Sequence, residues 1–202
     1  MADIRFDETK EMIRYWASLG SGPHAPLRAD VSPRAIARFL PRVFIISKED
    51  GVWKFRLAGT EFYPLYGHEL TGQSFSAIWG GDFAAVAAGL DAAASAGLPL
   101  VVSSDAWSME GVVEAETVIL PLRASDGHGE VDRFIGLQTF PAAPPWWLAS
   151  RPVLQASVKT TAIVGEGERA LLAQARGKTV PAIKFVERPR AFLRVVETRL
   201  TA

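Results

Sequence analysis

The chain contains no cysteine, and histidine is nearly as scarce, with 3 in 202 residues. The first absence excludes disulfide frameworks, cysteine nucleophiles, thiolate zinc sites and iron–sulfur clusters together. It leaves the redox compartment open, because cytosol and periplasm both tolerate a cysteine-free protein. His24, His68 and His128 stand 44 and 60 residues apart, which is no metal-ligand spacing. Net charge is lacking as well: 22 basic side chains cancel 22 acidic ones, so the whole-molecule charge gives no reason to seek nucleic acid or anionic lipid. Neither a G-x-S-x-G elbow nor an H-E-x-x-H run occurs. No catalytic constellation assembles from what is left, and the expectation is a non-enzyme.

Long apolar runs are also missing. Phe83 to Val102 carries one charge, Asp91, but it is mostly Ala and is broken by Gly89, Gly97 and Pro99. Ala contributes little apolar area, so this stretch reads as a soluble helix followed by a strand rather than a membrane span. The N-terminus is charged from Asp3 onward and has no apolar core of a secretory signal, which predicts a cytoplasmic protein.

What is present follows a clear order. Phe6, Ile13, Trp16 and Met12 lie at helical spacing, with Asp7 and Glu8 in the first turn and Gly20 as a stop, predicting an amphipathic N-terminal helix over 6–19. Ser32-Pro33 opens a second short helix ending before Pro41. Arg42–Lys48 and Val52–Ala58 flank Glu49-Asp50-Gly51 and should pair as a hairpin. Short helical turns, punctuated by Gly59, Pro64, Gly67 and Gly72, carry large apolar side chains. Thr60 is placed to cap the first of them, and Asp82 to cap an Ala-rich helix over 83–96, closed by Gly97. Leu100–Met109, Val112–Arg123 and Val131–Phe140 complete an antiparallel meander. The fold class is therefore α+β, a five-stranded antiparallel sheet covered on one face by short helices, with an N-terminal helix and a C-terminal extension. Three prolines in the run 141–147 suggest a boundary, giving a helical segment 1–26, a domain 27–141 and an extension 142–202. Within the extension, Pro152–Val164 is β-prone.

Particular residues go further than fold class. Phe55-Arg56-Leu57-Ala58-Gly59-Thr60, then Tyr66-Gly67-His68-Glu69-Leu70-Thr71-Gly72-Gln73-Ser74-Phe75, resembles the bacterial PAS family with an RLAGT and ELTG pattern. Ile119-Leu120-Pro121-Leu122 and Val131-Asp132-Arg133-Phe134-Ile135-Gly136 are similar to that family's last two strands, so the resemblance runs from Leu27 to Phe140. It implies a stand-alone sensory or regulatory module acting in trans in signal transduction. The implied partner is a signalling protein or a second copy, through a homodimer on the N-terminal helix. The cleft under the short helices would be either a small-ligand pocket or, in a protein-interaction or localisation adaptor, a packed interior.

The cofactors that the resemblance brings with it can be tested on the residues. A light-oxygen-voltage flavin photosensor needs an adduct-forming cysteine and a coumarate photoreceptor a cysteine anchor, so both are excluded. A haem would take a histidine from the long helix, and 83–96 has none. His68 sits in the short-turn region, where a structural role competes with ligation. Noncovalent flavin, another small organic ligand or no ligand remain. The candidate pocket lining is Phe62, Tyr66, Leu70, Phe75, Ile78 and Trp79 from the helical turns, with Val101, Trp107, Thr117 and Ile119 from the strands. Plain core packing is the competing reading for all ten. Alternation does not choose the inward face of 100–109, since Val101 and Val102 are both apolar.

Three other patterns stand out in the sequence. Glu114 and Glu116 lie two apart on a strand and share a face, which is expected to be an exposed charged one. Gly165-Glu166-Gly167-Glu168-Arg169-Ala170 follows a β-prone run in the manner of a nucleotide-binding loop, but its glutamates would oppose a pyrophosphate. Finally, neutrality hides an asymmetry: residues 1–150 have 12 basic and 18 acidic side chains, whereas 151–202 have 10 and 4. The basic tail either folds on the acidic body or is an arm for an acidic partner, membrane or nucleic acid.

Overall fold

The computed structural model describes residues 3–20, 24–124, 130–141 and 152–165, together with Gly167. Most of the basic tail, the Trp146-Trp147 pair and His128 therefore lie outside the described residues. The described chain forms helix α1 (Asp7–Leu19), strands β1 (Val43–Glu49) and β2 (Val52–Ala58), short helix α2 (Phe62–Tyr66), helix α3 (Phe83–Ala96), and strands β3 (Leu100–Ser108), β4 (Gly111–Leu122), β5 (Arg133–Thr139) and β6 (Gln155–Ile163). The sheet is antiparallel throughout, in the order β2-β1-β5-β4-β3-β6.

The β1–β2 hairpin closes through Asp50-Gly51, both at positive φ (50° and 79°), as a two-residue turn whose twist matches the strands. β3 and β4 are joined as tightly, with Ser108 opposite Gly111. The meander β3-β4-β5 is as expected, but the sheet has six strands and not five. The sixth comes from the extension, and it aligns along β3 from Leu100↔Ile163 to Trp107↔Gln155 with a bulge opposite Ser103/Ser104. That bulge lets Val158 pack on the helical side while Lys159 reaches Asp105 and Glu114 on the other.

Both faces of the sheet are covered. One carries α2, α3 and the 3-10 turns at Phe75–Ile78 and Gly80–Asp82, over a core that includes Phe44, Phe55, Leu100, Val102 and Phe134. The other carries α1, whose Met12, Ile13 and Trp16 bury against Val118, Leu120, Ile135 and Leu137. Trp16 Nε1 donates to the Pro121 carbonyl at 2.8 Å, fixing α1 on β4. The apolar stripe of α1 is thus occupied by its own sheet.

Three local expectations are corrected. The second short helix does not form over 32–40; residues 33–36 make a turn and a 3-10 helix spans Ala37–Arg42, through Pro41. The carbonyls of Leu40 and Pro41 there press on Gly59, where an added Cβ would lie 2.3 Å from each. Thr60 does not cap α2, because Glu61 occupies the N-cap position and has no side-chain cap bond. Asp82 occupies the N-cap position of α3 but its carboxylate turns instead to β6, accepting the Val158 N–H at 2.9 Å.

Among the described residues, no helix is long and apolar enough to cross a membrane. The 83–102 stretch divides into α3, which buries Val86, Leu90 and Ala93, and the start of β3.

Candidate functional site

Strand alternation decides which side chains face the cleft between the sheet and the α2–α3 cover. On β3 these are Leu100, Val102, Ser104 and Ala106; on β4, Val113, Ala115, Thr117 and Ile119; on β5, Phe134, Gly136 and Gln138. Two of the ten predicted lining residues fall elsewhere. Val101 belongs to the core under α1, and Trp107, of the same parity, is 47% exposed near the end of β3. The other eight, Phe62, Tyr66, Leu70, Phe75, Ile78, Trp79, Thr117 and Ile119, are all buried on the cleft side.

The cleft has two unlike halves. Toward β1 and β2 it is filled by aromatic rings: Phe44 meets Phe55, Phe62 and Phe75 at centroid distances of 5.7, 5.9 and 5.4 Å. Such edge and tilted contacts add to burial about 0.5–1.5 kcal/mol each. Gly136 makes room for Phe44, since an added Cβ would lie 2.0 Å from the ring's Cζ.

Toward β3 and β4 the character changes. Thr117 stands directly opposite Gln138 on β5 and Val102 on β3, and Ser104 lies one row on, opposite Ala115 and Val158. Because Val158 is bound by Asp82, the turn from Trp79 to Asp82 is pinned over the same end of the sheet. Among the described residues, five buried polar atoms have no hydrogen-bond partner: Trp79 Nε1, Ser104 Oγ and Thr117 Oγ1 on the cleft side of the sheet, and Thr9 Oγ1 and Thr139 Oγ1 on the α1 side; the Trp79 ring also meets Phe75 of the aromatic half at 5.8 Å. A buried polar group without a partner costs about 1–3 kcal/mol, so the three on the cleft side call for an explanation. Beside them, the Tyr66 hydroxyl donates to Gln138 Oε1 at 3.1 Å and lies 2.9 Å from Nε2. Burial pushes the Tyr66 phenol well above its ordinary pKa, against the pull of the Gln138 bond, so it stays neutral.

Sequence reasoning missed Ser104 and Gln138. Their signal was a polar residue at an inward position of a strand covered on both faces, which requires knowing that both faces are covered. It also misjudged the two glutamates. They share a face, but Glu116 is 1% exposed, and its carboxylate accepts the backbone N–H of Arg5 at 2.9 Å and of Phe6 at 3.3 Å, where the chain enters α1. Glu114 binds Arg5 and Lys159. Burial alone would raise its pKa, but these two cations together hold it below the ordinary value.

His68 is exposed at the end of α2 with Nδ1 2.9 Å from the Tyr66 carbonyl oxygen, so its ring is turned out of the cleft and does not fit a haem. Among the described residues, no group of three histidine, cysteine, aspartate or glutamate side chains could hold a metal ion. The Gly165 segment follows β6, an edge strand in an antiparallel sheet, and so lacks the parallel crevice of a dinucleotide site.

Several solved structures share parts of this arrangement. A light-oxygen-voltage domain studied with a flavin analogue is 20% identical, with a TM-score of 0.43 over 55% of this chain and 84% of that one. The dark structure of the blue-light photoreceptor Aureochrome1 LOV gives 18% and 0.42 over 55% and 82%. The Rhodobacter sphaeroides LOV protein gives 15% and 0.41 over 70% and 72%. These are distant likenesses, and what those proteins bind is their own. No curated protein matches the chain significantly. The PAS domain family model, however, matches residues 4–139, from before α1 to the end of β5, and with the strand order and cleft described above the chain belongs to the PAS domain family.

Proposed function

We propose that this chain is a cytoplasmic sensory and regulatory PAS module of bacterial signal transduction, whose cleft takes a small organic ligand and whose occupancy is passed to a signalling protein or to a second copy. Family membership supports the sensory reading. The observation that carries the ligand is the set of unpartnered buried atoms Trp79 Nε1, Ser104 Oγ and Thr117 Oγ1, all on the cleft side of the sheet. A bound molecule supplies the missing hydrogen bonds and removes their desolvation cost. It also acts as a signal only through different affinities for two arrangements of the cover.

Native mass spectrometry of the purified full chain tests this. A mass excess lost on denaturation is the expected result. A bare polypeptide mass, with no absorption beyond that of its aromatic residues, would overturn it and favour an adaptor whose interior is closed by side chains. That second reading has its own observation, the aromatic half of the cleft in which Phe44 packs against Gly136. No catalytic role is proposed.

A further inference from the structure

The geometry points to the chemical class of the ligand: an uncharged organic molecule that presents a hydrogen-bond acceptor, such as an amide or lactam carbonyl, to Trp79. This rests on the cleft being a ligand site. The indole Nε1 of Trp79 is a donor only, so its partner must be an acceptor. Ser104 and Thr117 offer hydroxyls that donate or accept, and they sit on adjacent strands one row apart. Gln138 keeps amide capacity beyond its bond to Tyr66.

Charge decides the rest. The carboxylate of Asp82, in the turn before α3, is engaged by the Val158 N–H, and Glu114 and Glu116 face the opposite side of the sheet, bound to Arg5, Lys159 and the entry to α1. Among the described residues, Tyr66 is the one ionisable side chain in the buried set on the cleft side, and it is held neutral. A carboxylate, phosphate or ammonium placed here would be desolvated with no counter-charge, which costs far more than the orphaned dipoles could return. Neutral carbonyl compounds meet the donor at no such penalty.

The test uses the full chain with benzamide and benzoate as matched probes, followed by saturation-transfer NMR. Benzamide should bind, and its affinity should fall about tenfold in Trp79→Phe, which keeps an aromatic ring but removes the N–H. Thr117→Val keeps the shape of the side chain and provides an independent check if Trp79→Phe perturbs folding; it should weaken benzamide as well. Benzoate binding as well as or better than benzamide would overturn the uncharged class while leaving the ligand reading intact. Benzamide binding unchanged in both variants would overturn the assignment to this polar row. If neither probe binds, a molecule extracted from the denatured protein decides by its charge at neutral pH: a neutral one supports the proposal and an ionised one overturns it. Absence of both probe binding and any extracted molecule would overturn the proposal together with the ligand reading.

Discussion

The carboxylate of Asp82 holds the backbone N–H of Val158 at 2.9 Å, joining the turn before α3 to the sixth strand. A residue placed to cap its own helix thereby ties down a strand 76 positions away. The bond is charge-assisted and half-buried, so Asp82→Ala should cost about 1–3 kcal/mol in the local stability of β6. Amide hydrogen exchange reads this directly. Faster exchange confined to 155–163, with β4 and β5 unchanged, is the expected pattern, and unchanged protection at Val158 would show that the strand is held by β3 alone.

Gly136 and Phe44 form a second dependency. Gly136→Ala puts a methyl where the ring of Phe44 already lies, and Phe44 is enclosed by three other aromatic rings. The overpacking should destabilise the protein by about 1–3 kcal/mol or more in urea unfolding. Adding Phe44→Leu should recover part of that loss, a non-additivity that two independent defects would not produce.

Glu116 governs the mooring of α1. Glu116→Ala leaves the Arg5 and Phe6 N–H groups without the carboxylate that accepts them, and a stability loss of about 1–3 kcal/mol follows. Limited proteolysis should then cut earlier within 3–10, whereas the part of α1 held by Trp16 and Pro121 should stay protected. Equal protection along the whole helix would contradict this role.

Acidity should loosen the outer-face ion network. The pKa of Glu114 is lowered from its ordinary 4.5 on folding, so its contribution is present above that value and is lost as pH falls through the lower folded one. Lys159 shifts the opposite way. Burial would lower its pKa, but Asp105 and Glu114 raise it above 10.5, so its contribution is complete below 10.5 and disappears only as pH rises past the folded value. Because these groups are partly exposed, the effect should be under about 1 kcal/mol. Chemical denaturation at pH 3 and pH 7 checks it: Glu114→Gln should show a smaller loss on acidification than the parent, and an identical loss would mean that Glu114 plays no part.

The elements that could be read from sequence were those set by near neighbours. Asp50-Gly51 specified a hairpin because few residues tolerate positive φ at two successive positions. The spacing of Met12, Ile13 and Trp16 specified α1, and the paired RLAGT and ELTG segments the family. By contrast, Ser32–Leu40 had the local signals of a helix, yet the chain there makes a turn and a 3-10 segment whose Leu40 and Pro41 carbonyls close on Gly59.

By itself, then, the sequence determined α1, the β1–β2 hairpin, α3 and the β3-β4-β5 meander, the absence of thiol chemistry and eight of the cleft-side residues. Only the tertiary structure decided that β6 joins β3, that Val101 and Val102 serve opposite cores, that Glu116 is buried, and that Gln138 faces Thr117 across the strands with Ser104 one row on. The physical reason is range: turn geometry and periodicity act within a few residues. A polar side chain on a strand, however, is exposed, satisfied or orphaned according to what a distant segment lays over it.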